Sequence, residues 1–243
     1  MATFVLVHGA WAGGWIWDRL RNALRDTGHK AFAPTLTGLG ERIHLAAPDV
    51  GLQTHITDVV NVVEYEELNR IVLVGNSYAG MVITGVAERI AKRISHLVYL
   101  DAFVPRDGQA LFDLLPAEHR ANFEQLAREK GEGWRVPLPF SMQQLGITAE
   151  VDLRWCTHRI TPTPLKVFSE PVTVRDPAAA ALPRTFVYCN KPAMGAFDQF
   201  AQATRNDRRW QYHQLATGHL PMVTAPKEVC NLLTPLAPHL GIA

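Results

Sequence analysis

Residues 70–90 place the strongest constraint on the fold. They begin with four apolar residues at 71–74, and such a short run rich in β-branching is typical of a strand buried on both faces. From Tyr78 onward the apolar residues recur at spacings of three and four, which predicts a helix. The chain therefore passes directly from a buried strand into a helix, as chains do in alternating α/β folds.

A serine lies in the tight turn between this strand and this helix. The turn reads Gly-Asn-Ser-Tyr-Ala-Gly over residues 75–80, so Ser77 has small neighbours. Such a turn raises the hydroxyl above the sheet, beside the free N–H groups of the helix N-terminus. Ala79 stands where the usual pattern has glycine, and alanine is still small. We interpret Ser77 as a nucleophile, and a capping serine in an ordinary turn is the simpler alternative.

Strands and helices alternate over residues 1–104 and again over residues 184–243. Strands are predicted at 3–7, 30–34, 71–74, 97–100, 185–189 and 210–215. Helices are predicted at 15–27, 54–67, 78–90, 197–204 and 226–236. This order predicts one α/β core, a mostly parallel six-stranded sheet with helices on both faces.

The alternation stops after Pro105. Residues 106–183 contain eight prolines and only short helical patches, at 111–115 and 118–129. We interpret residues 105–183 as a cap inserted over the sheet rather than as a separate domain.

Composition excludes several classes of protein. The 243 residues carry a net charge of +1 without a charged block, so neither nucleic acid nor a membrane surface is an expected partner. The N-terminus lacks the features of a signal peptide, and no long apolar run predicts a membrane span. The three cysteines, Cys156, Cys189 and Cys230, are widely spaced, which indicates neither a disulfide framework nor a zinc site. A cytoplasmic location is expected.

A serine nucleophile needs a base, which should follow the last strand of such a sheet. Of the ten histidines only His219 has that placement. His8 is interpreted as a structural residue that orients the loop after the first strand. The others are interpreted as ordinary surface or core residues: His29, His44, His55, His96, His119, His158, His213 and His239. None has metal-ligand spacing, so we predict no metal and no cofactor.

The oxyanion of an acyl-transfer reaction needs two backbone donors. One is the N–H of Tyr78, directly after the nucleophile, and the other should come from the loop after the first strand. That loop reads His-Gly-Ala-Trp, and Ala10 is the candidate.

The sequence offers more than one candidate for the acid that orients the base. Its usual place is the loop after the strand at 185–189, and residues 190–196 contain no carboxylate. Asp101, at the carboxyl end of the preceding strand, is the first candidate, since sites in parallel sheets form at those ends. Asp198, at the start of the next helix, is the second. Another acid, or a Ser–His dyad without an acid, is the remaining alternative.

Three motifs together resemble a known family. H-G-A-W-A-G-G-W-I-W, G-N-S-Y-A-G and G-H-L-P, in this order, resemble the α/β-hydrolase superfamily and, within it, the plant methyl-salicylate esterases and hydroxynitrile lyases. The nearest likeness is to bacterial carbendazim-type carbamate hydrolases. It is close over residues 1–110 and 184–243 and weak over the cap. By position, Ser77 and His219 resemble the family nucleophile and base, while the family acid has no match.

The resemblance implies a serine hydrolase, a carboxylesterase or carbamate hydrolase, that cleaves small apolar or aryl esters through an acyl-enzyme. A hydroxynitrile lyase is one alternative, but that group carries threonine and lysine where this chain has Gly9 and Leu220. A non-catalytic ligand-binding protein is another, since fold does not fix function. Proteins of this fold commonly dimerise, so a homodimer is also an expectation.

Aromatic residues near the predicted site could give an apolar substrate pocket. The alternative for each is ordinary packing in the core or cap. The candidates for the pocket are Trp11, Tyr78, Phe103, Trp134, Phe140 and Trp155.

Overall fold

A computed structural model describes residues 1–237, so His239 and the predicted end of the core at residue 243 lie outside the described residues. The described chain has eight strands: β1 (Thr3–Val7), β2 (Lys30–Phe32), β3 (Ile71–Ser77), β4 (Ile94–Ala102), β5 (Arg135–Val136), β6 (Thr163–Pro164), β7 (Arg184–Cys189) and β8 (Trp210–Leu215). Six of them form one sheet in the order β2-β1-β3-β4-β7-β8, and every pairing in it is parallel. The predicted six-stranded sheet is confirmed.

The helices follow the predicted order. They are α1 (Asp18–Asp26), α2 (Leu52–Tyr65), α3 (Ala79–Ile90), α4 (Ala117–Lys130), α5 (Glu150–Thr157), α6 (Lys166–Ser169), α7 (Pro177–Ala180), α8 (Asp198–Arg205), α9 (Pro221–Thr224) and α10 (Pro226–Leu233). Short 3₁₀ helices occupy Gly14–Trp17, Gly40–Leu45, Ala91–Arg93, Leu111–Leu114 and Thr234–Leu236. The first predicted helix is thus divided into a 3₁₀ turn and α1. None of the described helices has both the length and the hydropathy needed to cross a bilayer.

Side chains of the central strands are buried on both faces of the sheet. In β1, Phe4 and Leu6 pack into one hydrophobic cluster, while Val5 and Val7 pack into the other. Alternate residues of a strand point to opposite faces, so one short apolar run supplies both cores. Helices α1 and α10 cover the first face, and helices α2, α3 and α8 cover the second.

The strand order opens a crevice between β1 and β3. From β1 the chain goes to β2 on one side and then returns to β3 on the other side. At such a switch point the loops at the carboxyl ends of the two strands diverge, and ligands bind there. Val7 pairs with Gly75 in the register, so the loop after β1 lies beside the turn that contains Ser77.

Residues between β4 and β7 add no strand to the main sheet. They form the antiparallel pair β5–β6 and helices α4 to α7. Three hydrogen bonds join this segment to Trp11, in the loop after β1. The Trp11 N–H donates to Thr163 Oγ1 at 2.8 Å, Trp11 Nε1 donates to the Val136 carbonyl at 2.8 Å, and the Thr161 N–H donates to the Trp11 carbonyl at 3.0 Å. Because the segment lies outside the main sheet, the structure is compatible with a core and a cap at 105–183, and this division stays a prediction.

Three buried histidines make the fold sensitive to acid. Burial, which disfavours the charged imidazolium, lowers the pKa values of His8, His55 and His96 to about 4. The unfolded chain binds these protons near pH 6.5 and the folded chain only near pH 4. The free energy of unfolding should therefore fall as the pH falls from 7 to 5.

We expect His96→Gln to reduce that loss. Nε2 of His96 lies 2.8 Å from Thr185 Oγ1, and glutamine can keep a hydrogen bond there without titrating. The loss of unfolding free energy between pH 7 and pH 5, measured by urea denaturation, should shrink by roughly 1–2 kcal/mol. His213→Gln, on the exposed side of β8, serves as the matched control and should leave the loss unchanged. Equal losses in the two variants would contradict the expectation.

Candidate active site

Ser77 lies at the last position of β3, in a strained turn. Its φ of 59° is in the left-handed region, which costs a non-glycine residue about 1–2 kcal/mol. The Ser77 carbonyl accepts a hydrogen bond from the Phe103 N–H at 3.2 Å, which ties the turn to the end of β4. A Cβ on Gly80 would lie 2.0 Å from the Phe103 carbonyl oxygen. Within this turn, Gly80 is therefore the position where the backbone of a neighbouring segment leaves no room for a side chain. Ala79, where the usual pattern has glycine, is accommodated as a buried residue.

The loop after β1 contacts the turn directly. A Cβ on Gly9 would lie 2.9 Å from Ser77 Cβ, so a larger residue at Gly9 would displace the serine. His8 holds this loop, because its Nε2 accepts from the Leu36 N–H at 3.0 Å. The proton must then be on Nδ1, which donates to the Gly9 carbonyl at 2.8 Å. These bonds agree with the interpretation of His8 as a residue that orients the loop.

Ala10 and Tyr78 both line the cavity that contains Ser77. Hydrogen bonds among residues 1–237 engage neither of their backbone N–H groups. Two free donors on either side of a serine are what an oxyanion requires.

The side chain of Tyr78 is anchored behind the site. Nε2 of His55 lies 2.9 Å from the Thr37 carbonyl and must donate to it, so Nδ1 accepts from the Tyr78 hydroxyl at 2.9 Å. Burial raises the pKa of Tyr78 well above its ordinary value, which keeps that hydroxyl protonated as a donor. The side chain of the residue that follows Ser77 is thereby held in place.

His219 and Asp101 form a buried hydrogen-bonded pair. His219 Nδ1 lies 2.7 Å from Asp101 Oδ2, and both side chains are almost completely buried. Asp101 is the extra residue of a β-bulge, since Asn76 pairs with Leu100 and Ser77 with Ala102. A bulge redirects a side chain, and Asp101 also has a left-handed backbone with a φ of 46°.

The Asp101 carboxylate reaches the end of the neighbouring strand. Its Oδ1 accepts from the Cys189 N–H at 3.1 Å, at the last residue of β7. Asp198, the other candidate, is exposed and accepts from the Tyr188 hydroxyl at 2.6 Å. Of the two aspartates, the geometry favours Asp101 as the partner of His219.

Asn76 links the turn at Ser77 to the loop that contains His219. Its Nδ2 donates to the Leu100 carbonyl at 2.9 Å and to the His219 carbonyl at 3.1 Å. Phe197 supports the other side of the imidazole, since the two rings stack with centroids 4.9 Å apart. Sequence reasoning missed both residues. The position of Asn76 next to the serine was the only signal available for either.

The cavity above Ser77 is lined mainly by apolar side chains. Of the predicted pocket residues, Trp11, Tyr78, Phe103 and Phe140 line it. Further lining residues come from the segment between β4 and β7 and from the loop after β7, and sequence reasoning missed them: Leu111, Leu115, His119, Phe123, Leu138, Leu145, Ile160, Phe168, Met194 and Ala196.

The prediction that Trp134 and Trp155 line the pocket is wrong. Trp155 packs edge to face against Trp15, with centroids 5.1 Å apart, and the Arg19 guanidinium lies 5.0 Å from its ring. The ring of Trp134 faces the Arg135 guanidinium at 5.0 Å. Both indoles are half-buried beside a cation, a stable arrangement for an amphipathic ring outside the cavity.

Comparison with known proteins agrees with this fold and site. Residues 4–232 match the alpha/beta hydrolase family, so the chain belongs to that family. It is 40% identical to the carbendazim hydrolyzing esterase of Nocardioides sp. (strain SG-4G), over 97% of this chain and 100% of that protein. It is 24% identical to methylesterase 3 of Arabidopsis thaliana, over 96% of this chain and 95% of that one.

A solved structure is also similar. The extracellular alpha/beta-hydrolase from a Paenibacillus species superposes with a TM-score of 0.84 at 25% identity, over 98% of this chain and 100% of that one. The resemblance drawn from the three sequence motifs is confirmed. The chain is an esterase of the serine-hydrolase type, a carboxylic ester hydrolase.

We expect Asn76→Ala to reduce turnover in a folded protein. Two buried carbonyls would lose their donor, so the free energy of unfolding should fall by roughly 1–3 kcal/mol. The His219 loop would lose its link to the turn, and kcat for p-nitrophenyl acetate should fall by about tenfold or more. Asn190→Ala, the same change at an exposed asparagine, is the control for both measurements. A folded Asn76→Ala variant with unchanged kcat would contradict the role of this link.

Proposed function

We propose that the chain hydrolyses small apolar or aryl esters or carbamates through an acyl-enzyme. In this proposal Ser77 is the nucleophile, His219 the general base and Asp101 the acid that orients it. The observation that carries the proposal is the 2.7 Å contact between His219 Nδ1 and Asp101 Oδ2, at the carboxyl edge of the sheet beside Ser77. A carboxylate on Nδ1 keeps the proton there and leaves Nε2 free to accept one.

The reaction then runs in two halves. Nε2 of His219 takes the proton of the Ser77 hydroxyl while the oxygen attacks the substrate carbonyl. The tetrahedral intermediate collapses as His219 protonates the leaving group, which gives the acyl-enzyme. Water, deprotonated by His219, attacks the acyl carbon, and Ser77 regains its proton as the acid product leaves.

The backbone donors stabilise the negative charge that develops on the carbonyl oxygen in each tetrahedral intermediate. The N–H groups of Ala10 and Tyr78 are proposed to bind the oxyanion, each contributing roughly 3–4 kcal/mol to transition-state stabilisation. Both groups are free of other acceptors within residues 1–237, so no bond has to break before they act.

The lining of the cavity supports an apolar substrate. Aliphatic and aromatic side chains dominate it, and the indole N–H of Trp11 is already bonded to the Val136 carbonyl. A carbamate is included because the relative at 40% identity is named for carbendazim hydrolysis. Cytoplasmic action is part of the proposal, supported by three buried free cysteines, and a homodimer stays a prediction.

The structure disfavours both alternatives. Threonine, the lyase residue, could not replace Gly9 without displacing Ser77, and Leu220 lines the cavity where that group has lysine. A purely ligand-binding role leaves unexplained why a buried carboxylate is bonded to the imidazole beside a serine.

The first test separates the two aspartates. Hydrolysis of p-nitrophenyl acetate should fall by about 10⁵-fold or more in Ser77→Ala. It should fall by about 10³- to 10⁴-fold in Asp101→Asn, because asparagine would hold the wrong imidazole tautomer. Asp198→Asn, the matched control, should stay within about threefold of wild type.

Each alternative predicts a different result. If the rate of hydrolysis falls steeply in Asp198→Asn and not in Asp101→Asn, the assignment of the acid is wrong. If the wild type hydrolyses neither p-nitrophenyl esters nor aryl carbamates, the proposed function is wrong.

The second test concerns charge. We expect kcat/KM for mono-p-nitrophenyl succinate to be lower than for p-nitrophenyl butyrate by at least about 100-fold, since its carboxylate would be buried without a partner. Both esters release p-nitrophenol, so their rates can be compared directly. Equal rates would contradict an apolar acyl site.

A further inference from the structure

His119, in helix α4, lines the cavity. It is half-buried, and Leu115 and Phe123 on either side of it in the chain line the same cavity. No hydrogen bond within residues 1–237 engages its imidazole: Nδ1 is covered by protein atoms, whereas Nε2 is not among the buried unpartnered atoms. Nε2 is therefore the nitrogen of this ring that can form a hydrogen bond with a ligand in the cavity.

The other polar groups of the lining are already engaged or belong to the reaction. The Tyr78 hydroxyl donates to His55, and the Asn76 amide donates to Leu100 and His219. Ser77 and His219 are the proposed reacting groups. His119 is therefore the polar side chain of this lining that remains available to recognise a substrate.

We propose that His119 determines specificity by hydrogen-bonding one uncharged heteroatom of the substrate, remote from the scissile carbonyl. The proposal rests on the proposed function and narrows its substrate class to heteroaryl or similarly substituted esters and carbamates. Their remaining surface is apolar, to match the rest of the lining. An imidazole nitrogen donates or accepts according to the tautomer, so Nε2 can pair with either a ring N–H or a ring nitrogen of the substrate.

The test compares esters that differ in one heteroatom. The reference is 2-naphthyl acetate, and the probes are the acetates of 6- and 7-hydroxyquinoline, which offer an acceptor, and of 5- and 6-hydroxyindole, which offer a donor. For each probe, kcat/KM is divided by the value for the reference ester, once in the wild type and once in His119→Phe. The wild-type ratio is then divided by the ratio for the variant. The quotient of the two ratios cancels the intrinsic reactivity of each leaving group.

We expect a quotient of about five or more for at least one probe, the effect of one hydrogen bond. His119→Leu should give the same result, and either variant suffices if the other does not fold. His158→Phe, the same change at an exposed histidine at the end of α5, should give a quotient of about one. Smaller quotients for every probe in a folded His119 variant would overturn the proposal.

Failure of the proposed function would look different. The wild type would then hydrolyse none of these esters, the naphthyl reference included. The dissociation constants of 2-naphthol, the hydroxyquinolines and the hydroxyindoles, measured by calorimetry on the same variants, would still test His119. Loss of heteroatom preference in His119→Phe would support its role in binding, and an unchanged preference would refute it.

Discussion

The hydrogen bond between Asp101 and His219 joins the end of β4 to the loop after β8, across the intervening strand β7. The same carboxylate accepts from the Cys189 N–H at the end of β7, so one side chain ties together the ends of three strands. The orientation of the imidazole, and with it the reaction proposed for Ser77, depends on this carboxylate. Asn76 adds a second link, from the turn to the His219 loop.

The sheet supplies the rigidity that these contacts need. Three residues of the site, Trp11, Ser77 and Asp101, have left-handed backbone conformations, each unfavourable by about 1–2 kcal/mol. Such conformations persist only where the surroundings over-determine them. Here the buried strand β1 precedes Trp11, Ser77 ends β3 and Asp101 lies within β4, and two hydrophobic clusters pack against these strands. The fold stability thus maintains the geometry of the site.

Local sequence patterns predicted the strands, the helices that follow them, Ser77 and His219, because each depends on residues near in sequence. The choice between Asp101 and Asp198 could not be made in that way. A β-bulge shifts the register by one residue and turns Asp101 toward His219, and no local pattern marked it. Trp155 was misplaced for a related reason: it packs against Trp15 and Arg19, which are far from it in the sequence, while Trp134 lies against Arg135. Composition alone cannot distinguish an indole beside an arginine from one beside a substrate.

The loop after β7 carries no carboxylate, yet Met194 and Ala196 of this loop line the cavity. Because the carboxylate bonded to His219 comes from β4, no residue of 190–196 is a member of that pair. Mutations there can change which molecules the cavity accepts while the Asp101–His219 pair stays intact. In this loop the shape of the cavity is therefore separable from the hydrogen bond that orients the imidazole.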